Sequence, residues 1–280
     1  MRAIVLMSGF LAIAAGGSAT AGTVITLDQT VNGAPGRPQV MYLEPDKLRM
    51  SSPENDMIFR GDQNKVWVVR PQDKAYIELT PEGMSQMKAQ MDQMQAQMQQ
   101  QMASMPPEQR KQMEAMMASR GMGPNAQATP PQITYTKDGE PKKVGDFTCT
   151  PFKVTMSAGP TSEFCMAKLS DIGLSRDDLK SFVAFGTFMS QMGGTGAQRS
   201  PMATIDFDAV KKQIGFDGFP VQTSHSSPDG SHNVETTLKS IQHQDPPAGT
   251  FDVPAGYTRQ DMGPGMGSPG MGRGGPRPPG

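Results

Sequence analysis

Residues 40–80 read VMYLEPDKLRMSSPENDMIFRGDQNKVWVVRPQDKAYIELT. Val40-Met41-Tyr42-Leu43 runs into the turn residues Pro45-Asp46, and residues 47–50 follow. Met57-Ile58-Phe59 meets Gly61-Asp62. Val66-Trp67-Val68-Val69 leads to Pro71-Gln72-Asp73 and then to residues 75–79. Apolar, β-branched runs of strand length at roughly 8–12-residue spacing, each closed by turn residues, predict an antiparallel meander. Residues 23–30 read as a strand ahead of it. Trp67, the sole tryptophan, sits mid-strand. It reads first as a packing residue, because large aromatics carry much of a core, and second as a ligand platform.

The period changes at Thr80-Pro81-Glu82, which places a capping hydroxyl, a proline at the first helical position and an acid near the positive end of the helix dipole. Methionines follow at 84, 87, 91, 94, 98, 102 and 105. Steps of three and four make one stripe of a helix. Pro106-Pro107 ends it, and Met113, Met116 and Met117 give a second helix its own apolar face up to Gly121. The segment 81–122 is therefore expected to be a Met/Gln-rich helical hairpin inserted between strands. The stripe has three readings. It is the seam of the hairpin. It is an adaptable apolar surface, with Met91, Met94, Met98 and Met102 acting beside Phe182, Phe185 and Trp67 as ligand-binding residues, because unbranched thioethers fit varied shapes. Or its Met-x-x-Met pairs, Met84, Met87, Met91 and Met94 first among them, hold soft Cu(I) or Ag(I).

Strands are expected again over 133–136, 147–154, 163–167, 219–224, 233–243 and 249–253. Between them Ser175 and Asp178 form a capping box ahead of a helix over 175–193. Leu179, Phe182, Val183, Phe185, Phe188, Met189 and Met192 cover most of its circumference, which predicts burial on several sides by a concave sheet. Cys149 and Cys165 are centred on residue 157, the expected turn of a hairpin. Directly opposed strand positions suit a disulfide, and a disulfide between them is expected.

The ends differ from the body. Residues 1–21 read as a signal peptide, with Arg2, an apolar run from Ile4 to Ala15, and Ala19-Thr20-Ala21 as the cleavage site. The protein is thus expected to be exported, to the periplasm or beyond, with cleavage after Ala21. Residues 261–280, DMGPGMGSPGMGRGGPRPPG, hold too little apolar surface to offset ordering and read as a disordered tail. Residues 22–260 are left as one β-rich domain. With 26 basic and 27 acidic residues the chain has no field for holding nucleic acid, and no later run is long enough for a transmembrane segment. Two cysteines and three histidines exclude a four-Cys zinc site and leave little for a His-built one.

Catalytic constellations are weak. Ser224-His225-Ser226 puts serine beside histidine, but neighbours in a strand face opposite ways. Asp206-Phe207-Asp208 places two acids on one face of a possible strand, without the further ligands calcium needs. Gly193-Gly194-Thr195-Gly196 has no Lys-Ser/Thr after it for a phosphate loop.

The run from Met41 to Met50 and then Met57-Ile58-Phe59-Arg60-Gly61-Asp62 resembles a family of exported bacterial proteins known as a domain of unknown function (number 4412). The likeness continues at Met105-Pro106-Pro107-Glu108-Gln109-Arg110, Cys149, Leu169 to Leu174, Gly218-Phe219-Pro220-Val221 and Val253-Pro254-Ala255-Gly256-Tyr257. The family is similar in strand layout to periplasmic lipoprotein carriers of the LolA/LolB type, whose incomplete barrel shields an acyl chain. The resemblance implies an α+β, LolA-like antiparallel half-barrel, and it brings no catalytic residue with it. Taken with the residues, it predicts a non-enzymatic protein without a cofactor, with the 175–193 helix on the concave face and the Met-rich hairpin inserted. The expected partner is a hydrophobic small molecule, a lipid or an exported protein segment. The alternatives are a soft-metal binding protein and a purely structural envelope protein.

Overall fold

The computed structural model describes residues 22–52, 55–103, 106, 108–109, 133–156, 162–191, 207–227 and 233–261. The expected signal peptide, nearly all of the expected second helix of the hairpin, the expected glycine loop at 193–196 and the expected tail from 262 lie outside the described residues.

Seven strands make the first half: β1 (Thr23–Val31), β2 (Ala34–Pro35), β3 (Gln39–Glu44), β4 (Lys47–Ser51), β5 (Asp56–Arg60), β6 (Lys65–Arg70) and β7 (Ala75–Leu79). After helix α1 (Pro81–Ala103) come β8 (Ile133–Lys137), β9 (Lys142–Val144), β10 (Phe147–Met156) and β11 (Ser162–Lys168). Helices α2 (Lys180–Gln191) and α3 (Phe207–Ile214) precede β12 (Gly218–Ser226), β13 (Asn233–His243) and β14 (Thr258–Arg259). The strands form one open sheet in the order β14-β7-β6-β5-β4-β3-β1-β13-β12-β11-β10-β8, with β2 on β1 and β9 on β10. Every pairing is antiparallel except β14 on β7. The chain closes the middle of the sheet by pairing its ends, Thr23 opposite His243 and Val31 opposite Val234.

Because side chains alternate across a strand, the register fixes two faces. The inner face carries two cross-strand rows. Leu43, Leu48, Phe59, Val66 and Leu79 stand opposite one another in succession, and so do Met41, Met50, Met57, Val68 and Ile77. Leu43, Leu48, Phe59 and Val66 of the first row, with Ile25 and Leu27, are buried in the main core, and Leu79 packs against it half-buried. Helix α2 lies against β3, β4 and the short turn at Gly61–Gln63. Its Phe185 and Phe188 rings each sit 5.7 Å from the ring of Phe59.

The outer face has a smaller core of Ile58, Val69 and Phe251, with Tyr42, Trp67, Tyr76, Val253 and Tyr257 packed around it. Residues 244–260 supply this cover as a strap. Arg49 donates to Thr250 O at 2.9 Å and Arg60 to Phe251 O at 3.4 Å, and Gln260 N donates to Tyr76 O at 2.8 Å. The strand expected over 249–253 is therefore turn. Pro246-Pro247 and the positive φ of Gly249 (79°) bend the chain, and Phe251 is buried by lying flat on the sheet instead of pairing at its edge.

Three further expectations are corrected. In the Asp206-Phe207-Asp208 stretch Phe207 and Asp208 are helix and not strand, because α3 starts at Phe207, and Asp206 lies outside the described residues. Val210 is buried in the core and Ile214 packs against it one turn on, Lys211 and Lys212 suit the negative end of the helix, and Gly215 (φ 67°) caps it by donating to Lys211 O at 2.9 Å. Helix α2 is buried along one side only. Phe182, Phe185 and Phe188 are buried, while Val183 is 38% exposed. The disulfide Cys149–Cys165 is present with a Cα–Cα distance of 5.3 Å, but the two residues are not directly opposed. Val154 faces Ser162, which centres the hairpin on residue 158, and Cys165 stands opposite Pro151. Cys149 lies two residues further along β10, where that strand turns to pair with β9. A diagonal position still falls within disulfide reach.

Candidate functional site

The site is built from the inner face beside α2. Phe59 of the first row is covered by Phe185 and Phe188. The second row lies two residues along each strand, roughly 7 Å away. There Met41 is buried, but Met50, Met57, Val68 and Ile77 are only half-buried. Met50, Met57 and Val68 pack against the core, and with Ile77 opposite Val68 on β7 they form an apolar shelf that reaches water. Two of them are methionines, whose flexible thioethers adapt to irregular guests. Nothing in the linear pattern distinguishes this row from the one whose Leu43, Leu48, Phe59 and Val66 are buried, because only cross-strand register sets them apart.

The expected ligand residues divide between places. Phe182 and Phe185 line the inner face and are filled against the sheet. Trp67 does not join them. It points to the outer face, where Nε1 donates to Glu78 Oε2 at 2.9 Å and Lys65 Nζ sits 4.7 Å from the ring centroid. Helix α1 begins as expected, with Gly83 N donating to the capping Thr80 Oγ1 at 3.1 Å. Beyond its first two turns every described side chain from Lys88 to Gln101 is exposed, and Met94 is 60% exposed. A water-shielded flank is not present at Met94. The side chains of Met91, Met98 and Met102 fall outside the described set.

A polar cluster fixes the lead-in to α2. Ser175 N and Oγ donate to Asp178 Oδ2 at 2.7 and 2.5 Å, and Asp178 N returns a bond to Ser175 Oγ at 3.3 Å, completing the capping box. Thr23 Oγ1 donates to Asp178 Oδ1 at 2.9 Å. His243 Nε2 faces Gly173 O at 2.8 Å, so that nitrogen carries the proton, and Nδ1 lies 3.3 Å from Thr23 Oγ1 and 3.6 Å from Asp178 Oδ1. The cluster ties residues 173–178 to the paired ends β1 and β13. Burial opposes ionisation of Asp178, but the bonds from Ser175 and Thr23 and the nearby His243 ring outweigh it and hold the carboxyl below its usual 3.8. A carboxyl depressed in the fold stabilises it above the unfolded pKa and loses that contribution as pH falls through the folded one. Asp178→Ala is therefore expected to cost about 1 kcal/mol near neutrality, a typical capping loss. The gap between variant and wild type should close below about pH 4, as read by urea melts across pH.

One pair escaped the sequence. Ser162 Oγ lies 3.0 Å from His225 Nδ1 across β11 and β12. Neighbouring residues drew attention to Ser224 and Ser226, whereas the real partner is 63 positions away. Among the described residues no group of three or more His, Cys, Asp or Glu side chains could hold a metal ion, and no helix is long and apolar enough to cross a membrane.

The architecture defines a class: a mostly antiparallel open sheet with a few helices. Residues 80–257 match the model of the domain of unknown function DUF4412, and the chain belongs to that family. No curated protein matches it. Solved structures with similar topology include an uncharacterised conserved protein from Thermus thermophilus (5% identity, 87% of this chain and 92% of that one, TM-score 0.42). They also include a putative outer membrane lipoprotein-sorting protein domain from Vibrio parahaemolyticus (8% identity, 81% and 87%, TM-score 0.26). A LolA-superfamily protein from Nitrosomonas europaea is a third (9% identity, 84% and 91%, TM-score 0.25).

Proposed function

We propose that this is an exported, non-enzymatic binding protein that holds an apolar ligand, an acyl chain by preference, on the inner face of its sheet. The observation that carries the reading is the half-buried row Met50–Met57–Val68–Ile77, which extends an apolar core to water beside helix α2. A narrow, elongated apolar strip suits a chain-shaped guest, and displacement of α2 from Phe59 would lengthen it. Export is supported by the leader-like residues 1–21 with cleavage after Ala21, and by a disulfide of the kind that persists in oxidising compartments.

The test is titration of the purified protein with the fluorescent fatty acid cis-parinaric acid, together with organic extraction of protein taken from the cell envelope. The wild type should bind saturably, and a Met57→Gln/Val68→Thr variant, which keeps volume and adds polarity, should bind at least about tenfold more weakly with unchanged circular dichroism. No saturable binding together with no extracted lipid, or equal affinity in the variant, would overturn the reading.

A further inference from the structure

We propose that the ligand is a fatty acid and that Arg70 holds its carboxylate at the rim of the apolar shelf; this rests on the binding reading above and adds the chemistry of the ligand's head. Side chains alternate along β6, so Val66, Val68 and Arg70 share one face. Val66 is buried in the core and Val68 is half-buried in the shelf. Arg70 lies about 7 Å further along the strand than Val68, with 27% of its side chain exposed. On β7, Ala75 and Ile77 stand opposite Arg70 and Val68. Between Val66 and Arg70 the inner face thus passes from core to half-wet apolar surface to a cation. That order matches an acyl chain with a negative head.

The guanidinium has capacity left for an anion. Nη2 donates to Gln260 Oε1, a neutral acceptor. Its acid, Asp73, lies 3.6 Å from Nη1 and is 56% exposed, so water competes for the pair. Nε is buried and has no hydrogen-bond partner among the described residues. The arginines under the strap on the outer face differ. Arg49 has Asp56 Oδ2 at 2.5 Å and Arg60 has Asp62 Oδ2 at 2.6 Å, so each already holds a carboxylate at hydrogen-bond distance. A buried charged donor left unpaired is costly, and a carboxylate can take Nε–H and an Nη–H together. The incoming head displaces Gln260 and meets one positive charge, which matches a singly charged carboxylate better than a phosphate monoester carrying up to about two.

The experiment titrates the intact disulfide-bonded protein by calorimetry with decanoate, decanol and decyl phosphate at about pH 8, where the carboxyl is ionised. The wild type should bind decanoate at least about tenfold more tightly than decanol, and no less tightly than decyl phosphate. In Arg70→Gln the preference for decanoate over decanol should vanish. Arg70→Lys, which keeps the charge but lacks the planar fork, should retain a preference reduced several-fold, and it serves as the second variant should Arg70→Gln fail to fold. Equal affinity for decanoate and decanol in the wild type, a preference that survives intact in Arg70→Gln, one undiminished in Arg70→Lys, or tighter binding of decyl phosphate would overturn the proposal while leaving the apolar strip standing. Binding of none of the three by the wild type would overturn both.

Discussion

Phe185→Ala is expected to cost about 3–5 kcal/mol of unfolding free energy, the range for truncating a buried aromatic. Phe185 is completely buried and stands edge-on to Phe59, which it covers together with Phe188. Removing the ring leaves a void between α2 and the sheet that neither rigid element can close, so both transfer energy and packing contacts are lost. Val183 on the same helix is 38% exposed, and Val183→Ala should fall within about 0.5 kcal/mol of the wild type. Urea unfolding of the two variants checks the orientation of α2. Equal losses would mean that the helix is not docked by its phenylalanine side.

The second large effect concerns the disulfide. Cys149→Ala/Cys165→Ala should lose about 3 kcal/mol, the chain-entropy value for a ring of this size. Both residues are buried, at 2% and 3% exposure, so the bridge also contributes to the packing between β10 and its neighbours. Reduction of the wild type should shift its urea midpoint by a similar amount. A reduced protein as stable as the oxidised one would show that the denatured chain is not constrained by the link.

How far the sequence revealed this architecture depended on where the information lies. Strands β3 to β7 could be read because alternation and punctuation agree: Pro45-Asp46 turns β3 into β4, and Asn64 (φ 51°) and Lys74 (φ 47°) take the left-handed conformations that close the β5–β6 and β6–β7 hairpins. The start of α1 was equally local, resting on Thr80 and Pro81. Helix α3 was not legible, because eight residues carry too little period, and its docking beside β8 is tertiary. Phe251 looked like a strand residue because the strap that lays it on Ile58 and Val69 depends on Arg49 and Arg60, about 200 positions away. The shelf was missed for a related reason. Val66, Trp67 and Val68 show that tryptophan faces away from its neighbours, but not which side is sealed and which remains open. That follows only from where α2 and the strap come to rest.

The pairing of β1 with β13 has a kinetic consequence. The central seam of the sheet joins residue 23 to residue 243, so a chain shorter than that cannot assemble it, and the segment just after the seam, which carries Phe251, also covers the outer face. Such distant partners impose a late, slow commitment to the native topology. Closing so long a loop is therefore expected to be the slow step of refolding, and the apolar rows of β3 to β7 stay open to water until it is done.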